Sequence, residues 1–310
     1  MTTNTKSKPR TTLSQPNARS QGAREHTQDQ QWFPGDMERN FRRSLGRHNL
    51  HLALLELAAR TFTKKIAEQP SESIFIRDIA KTEGFHSLHL QGEAFKNARA
   101  YLVFSHIAYV FSAGDALCQR IRSHAEIRTL KTQDQTLARA LDEGDFITKT
   151  LALTVWASSS PEKRLVSAIQ KEAEKIKTTP SFETVNYYRL VRNMELHTES
   201  DEGTGILEPE WQALPHEAIL SRYGLRPSRY GDLNSNDALL CSKAWQDVAK
   251  WLCRHVLNDS QITIPLLARR YGNLSHARRK NAATNFMKEA LLMSDAEVVD
   301  ILTELGWLTD

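Results

Sequence analysis

Residues 92–125 constrain this chain most. They read as one long helix, apolar nearly all round its middle through Val103, Phe104, Ile107, Val110, Phe111, Leu117 and Ile121. A helix without a polar face belongs at the centre of a bundle, wrapped by other helices. The chain has 310 residues, 40% of them hydrophobic, enough to build such a wrapping. His106 and Asp115 interrupt the apolar run, and both are costly in lipid, so a core helix is expected and a membrane span is not. Residues 1–31 lack the apolar stretch of a signal peptide, which predicts a cytoplasmic protein.

The rest of the chain repeats the helical period. Leu55, Ala58, Ala59, Phe62 and Ile66 follow the spacing of one buried stripe, and Pro70 closes that helix. Residues 145–157 and 161–177 give two shorter helices, the second opened by Pro161, and 182–198 gives another. A Gly- and Pro-rich stretch at 199–236 reads as a loop insertion or lid, with one helix near 215–223 closed by Gly224. Residues 237–257 return to helix as a closing element. Ser294-Asp295-Ala296-Glu297 is a capping box that opens a last helix, ended by Gly306. Ile74-Phe75-Ile76 is the best strand candidate, and it is very short. The expected fold is therefore all-α, a multi-helix bundle with accessory N- and C-terminal helices.

The expected organisation is a disordered tail at 1–31, a helical extension at 32–89, a main domain at 90–258 and a small basic unit at 259–310. The tail holds five Lys/Arg against two acids and almost no large apolar side chains, so it cannot offset chain entropy. Cys118, Cys241 and Cys253 are far apart in apolar stretches. They read as buried free thiols in a reducing compartment, not as a zinc site or disulfides.

The chemistry concentrates in Arg192-Asn193-Met194-Glu195-Leu196-His197. Breaking an RNA strand with its own 2′-hydroxyl needs a base, an acid and a stabiliser of phosphorane charge. His197 can move the protons, and Arg192 can grip a phosphate in fork geometry. Asn193 lies four residues before His197, on the same face, where it can orient the imidazole or hold a phosphate oxygen. Arg192 and His197 are five residues apart, so they diverge by about 140° around an ideal helix. Two copies facing across a two-fold axis would close that gap. Asp115, an acid in the most apolar helix, needs a partner, which Arg192, His197 or a structural hydrogen bond inside the bundle can supply. Asp115 and Arg189 are the supporting candidates.

Arg192-Asn193-x-x-x-His197, with Leu190-Val191 before it, resembles the R-x(4–6)-H signature of the HEPN superfamily in its commoner form, arginine followed by a polar residue. Arg43…His48, Arg99…His106 and Arg270…His276 share the bare spacing. Asn193 and the apolar face of Tyr187, Leu190, Val191 and Met194 set the first apart. The resemblance covers residues 90–258. It implies a helical, dimeric, metal-independent endoribonuclease with a composite site and no cofactor. Many such proteins are toxins or anti-phage effectors, which implies an RNA substrate and a neutralising or activating protein partner.

Other signals suit a non-catalytic nucleic-acid-binding regulator or a helical interaction protein. Residues 260–288 carry Arg269, Arg270, Arg278, Arg279, Lys280 and Lys288 with no acid, a pattern that fits phosphate contacts or a solvated face. Arg39, Arg42, Arg43 and Arg47 read as a solvated helix face. Residues 76–91 resemble the start of a helix-turn-helix without the basic run of a recognition helix. Acids from Glu195 to Glu210 should repel RNA, so basic surface elsewhere must compensate.

Overall fold

Trp245 presses its ring against the backbone of another helix, where a side chain would not fit. A Cβ at Gly114 would lie 2.5 Å from the indole ring, so this one glycine lets two central helices approach closely. The computed structural model describes residues 33–85, 94–123, 145–159, 165–197, 207–255 and 260–308. The expected tail at 1–31 lies outside them. The described residues form helices and no strand: α1 (Pro34–Ala67), α2 (Glu72–Thr82), α3 (Ala94–Arg122), α4 (Phe146–Ser158), α5 (Val166–Lys177), α6 (Pro180–His197), α7 (Glu208–Gln212), α8 (His216–Tyr223), a 3-10 turn (Tyr230–Asp232), α9 (Ser235–His255), α10 (Ser260–Tyr271), α11 (His276–Glu289) and α12 (Asp295–Glu304). The all-α expectation therefore holds for the described chain.

Two helices share the centre. α3 packs on α1, α4, α6 and α9, and buries Val103, Phe104, Ile107, Val110, Phe111, Leu117 and Ile121 as its sequence demands. It is long and apolar enough to cross a membrane by length and composition, and half of its most apolar window is buried by its neighbours. α9 is the second hub, packed on α1, α3, α4 and α6. It buries Ala238, Leu240, Cys241, Ala244, Trp245, Val248, Ala249, Leu252 and Cys253. The sequence suggested a closing helix here. Its polar residues Asn236, Lys243, Gln246 and Lys250 mask how much of the circumference is covered. All three cysteines are free and buried, as expected, and burial pushes the Cys118 thiol up to about 12, which keeps it protonated and unreactive.

The N-terminal half of α1 is built into the same core through Met37, Phe41 and Leu45. Its Gly35 N–H donates to the Ala290 carbonyl at 2.8 Å, and a Cβ at Gly35 would meet the Glu289 carbonyl. Phe33 packs edge-on against Phe286. Core residues thus run without a break from α1 to Trp307.

The second half of α1 departs from its expected stripe. Leu55 is half exposed, Ala58 is exposed, and Ala59, Phe62 and Ile66 are only partly covered, because Leu52 and Glu56 face the bundle instead. Glu56 pairs with Arg60 and Arg99, so an ion pair sits beside Leu52 on the buried side of this segment. Ile74-Phe75-Ile76 is helical, inside α2, where Phe75 stacks on Phe62. The stretch expected to begin a recognition helix, 86–91, lies outside the described residues. The capping box at Ser294 and Glu297 forms reciprocally, and Gly224 closes α8 in the left-handed region at φ 69°.

Candidate functional site

α6 carries the motif, and its two faces have different tasks. Phe182, Val185, Tyr188 and Val191 recur at helical spacing and are buried. Asn186, Arg189 and Asn193 recur on another side and are partly or fully exposed. Pro180 opens the helix in its first turn, where its missing N–H costs nothing.

Arg192 lies between the two faces and is held from three directions. Its guanidinium carbon sits 4.9 Å from the centroid of the Phe111 ring, a cation–π geometry. Its Nε and Nη2 donate to Asn193 Oδ1 at 3.3 and 3.1 Å. Its Nη1 forms an ion pair with Asp115 Oδ2 at 3.6 Å. The expectation that Asp115 faces the motif is met in Arg192. Burial raises the Asp115 carboxyl above its usual value, and the Arg192 charge offsets part of that rise. Asn193 spends its oxygen on Arg192, a contact with its chain neighbour that helix-face reasoning missed.

His197 is the last residue of α6. Its side chain lies outside the described residues, as do residues 198–206 of the acidic stretch.

One turn before Arg192, Arg189 donates from Nε and Nη2 to Asn186 Oδ1 at 3.2 and 2.8 Å. Arg189 and Asn186 edge a cleft of about 300 Å³ between α4, α5 and α6. Asp145 stands at the cleft as the N-cap of α4. It accepts hydrogen bonds from the Ile147 and Thr148 N–H groups and from the Thr148 hydroxyl. Burial would raise this carboxyl, but the Thr148 bonds, the Arg189 charge and the Ile147 N–H together hold it below the ordinary carboxylate value.

The described part of the Gly- and Pro-rich stretch is fastened to α6. Asp237, fully buried, accepts from the Tyr188 hydroxyl at 2.7 Å, the Ser228 N–H at 2.8 Å and the Asn234 N–H at 2.9 Å. Tyr187 donates to the Ser228 carbonyl, and Trp211 donates from Nε1 to the Pro227 carbonyl. So many anchors make residues 207–234 a brace rather than a lid. Two acids expected to repel RNA are occupied here: Glu195 accepts from the Tyr230 hydroxyl, and Glu208 pairs with Arg229. Sequence reading missed Asp237. Its signal was the run Asn234-Ser235-Asn236-Asp237, a capping pattern with the acid three residues after the cap.

The basic C-terminal residues separate into two groups. Arg270 lies over the Phe286 ring at 4.8 Å, and Arg279 lies over Trp307 at 5.1 Å while donating to the Leu274 carbonyl. Lys280 donates to the Leu308 carbonyl, and Lys288 pairs with Asp295. These four stabilise the C-terminal helices. Arg269 and Arg278 are exposed. Among the described elements, the helices packed most closely against α6 are α3, α5, α8 and α9. Among the described residues no cluster of three or more His, Cys, Asp or Glu could hold a metal ion.

Comparison with family models, with curated proteins and with solved structures gives no match.

Proposed function

We propose that this chain is a metal-independent endoribonuclease of the HEPN kind, acting as a homodimer in the cytoplasm as a toxin or anti-phage effector. The observation that carries this reading is the posture of Arg192. It is a half-buried guanidinium on an aromatic face, oriented by Asn193 and Asp115, five residues before the histidine that ends the same helix. A guanidinium fixed in advance loses little entropy when it grips a phosphate.

In this mechanism His197 accepts the proton of a ribose 2′-hydroxyl as O2′ attacks phosphorus. The P–O5′ bond breaks, and a protonated imidazole, the partner's His197 in a composite site, donates to the leaving O5′. The products are a 2′,3′-cyclic phosphate and a 5′-hydroxyl. Arg192 stabilises the extra negative charge on the phosphorane. No cofactor enters the reaction. A neutralising or activating protein partner fits an activity this dangerous to its own cell.

The test is incubation of the purified protein with mixed RNA in EDTA, beside folded Arg192→Ala and His197→Ala variants. Cleavage lost in both variants supports the reading, and cleavage unchanged by either substitution overturns it. RNA binding without cleavage would instead favour a regulator that uses exposed Arg269 and Arg278.

A further inference from the structure

The cleft between α4, α5 and α6 has a floor of Ile147, Leu151, Phe182 and Val185, and a rim of opposite charges. Lys177 and Arg189 stand on the rim as cations, Asp145 and Glu183 as acids. Its volume, about 300 Å³, lies at the small end of the range for ligand clefts. Arg189 and Arg192 are three residues apart on α6, about 4.5 Å along the helix axis, so a chain gripped by one reaches the other.

A nucleotide has the matching chemistry. Its base has two apolar faces and a polar edge, and its phosphate is an anion. We propose that this cleft seats one base of single-stranded RNA beside the phosphate held by Arg192, choosing cytosine and adenine, whose exocyclic amine stands where uracil carries a carbonyl. The proposal rests on the nuclease reading for the identity of the strand.

Selectivity follows from the rim. Cytosine and adenine present an amine donor where uracil presents a carbonyl acceptor, and a carboxylate accepts from the first and repels the second. Asp145 is largely occupied by the N–H groups and hydroxyl it caps. The Glu183 carboxylate has no hydrogen-bond or ion-pair partner among the described residues, so it is the reader. Lys177, which also reaches Glu174 at 2.7 Å, supplies charge for the adjoining phosphate together with Arg189. Thr148 stands at the edge of the cleft, half-buried, where a larger side chain would fill the space.

The experiment uses the full chain and fluorescent 2′-O-methyl oligomers of C, A or U. These cannot be cut by 2′-hydroxyl attack, so binding is read apart from cleavage. Affinity for the C and A oligomers is expected to exceed that for U by about tenfold, the worth of one good base contact. Glu183→Gln should erase that preference, Thr148→Trp should weaken the C and A oligomers about tenfold, and Lys177→Glu should weaken all three alike. Circular dichroism and melting temperature confirm that each variant is folded. Equal affinity for the three oligomers, or a preference untouched by both Glu183→Gln and Thr148→Trp, overturns the cleft assignment even if native RNA is cut. The expected preference together with intact native RNA overturns the nuclease reading and leaves the cleft assigned.

Discussion

Arg192 illustrates what a single residue's surroundings add to its chemistry. The sequence marked it as a phosphate grip and marked Asp115 as an acid needing a partner, and the two meet at 3.6 Å. The orienting role of Asn193 toward Arg192 was not legible, because residues adjacent in a helix normally point apart and only arginine's length closes the gap. Arg192→Lys keeps the charge but loses the fork, so cleavage should fall about hundredfold with little change in melting temperature. Asp115→Asn leaves Arg192 less firmly placed and should lower kcat about tenfold with KM nearly unchanged. A raised KM with kcat unchanged would show that Asp115 acts through binding instead. A different residue weakens the fold in acid. His106, buried and donating from Nε2 to Asn49 Oδ1 at 3.0 Å, is pushed from 6.5 to about 4, first by burial and then by the His48 charge. The unfolded chain takes up this proton at higher pH than the folded one. Stability from this residue is therefore complete above about pH 6.5 and is lost as pH falls toward 4, by about 3 kcal/mol in all. Urea unfolding of the wild type and His106→Gln at pH 7 and pH 4 should show a larger loss in the wild type, and parallel losses would contradict this.

At the scale of elements, the contact between α3 and α9 organises the bundle. Gly114→Ala places a methyl 2.5 Å from the Trp245 ring. Since Trp245 also packs edge-on against Phe111, the ring has little room to retreat, and destabilisation of about 1–3 kcal/mol is expected in urea unfolding. The core character of α3 was legible because its apolar residues surround the helix. That of α9 was less so, since its polar positions imitate an exposed face. The 207–234 stretch misled in the opposite direction. Its glycines and prolines signal irregular backbone, but not whether that backbone is tied down, which depends on the distant Tyr187 and Tyr188 as well as the nearby Asp237. Tyr188→Phe removes one of three donors to a fully buried carboxylate and should cost about 1–3 kcal/mol. Hydrogen exchange should then rise across 224–234; unchanged exchange there would mean that Asp237 does not brace the segment.

The whole molecule adds a demand that no single chain meets on α6 alone. Five residues separate Arg192 from His197, and the ideal helix turns them about 140° apart. In the proposed dimer, two chains facing across a two-fold axis would bring one chain's arginine to the other's histidine. Mixed Arg192→Ala and His197→Ala subunits should therefore regain cleavage that neither variant shows alone, and silence from a proven mixed dimer would mean that the two residues work within one chain. The proposed dimer rests on that geometric requirement alone, because sequence periodicity gives directions around a helix and not the partner it meets. The central claim is cleavage by the RNA's own 2′-hydroxyl, and the ends of the cut strands report it most directly. RNA cut by the wild-type protein in EDTA should carry 2′,3′-cyclic phosphate and 5′-hydroxyl ends. Fragments with 3′-hydroxyl and 5′-phosphate ends would contradict it.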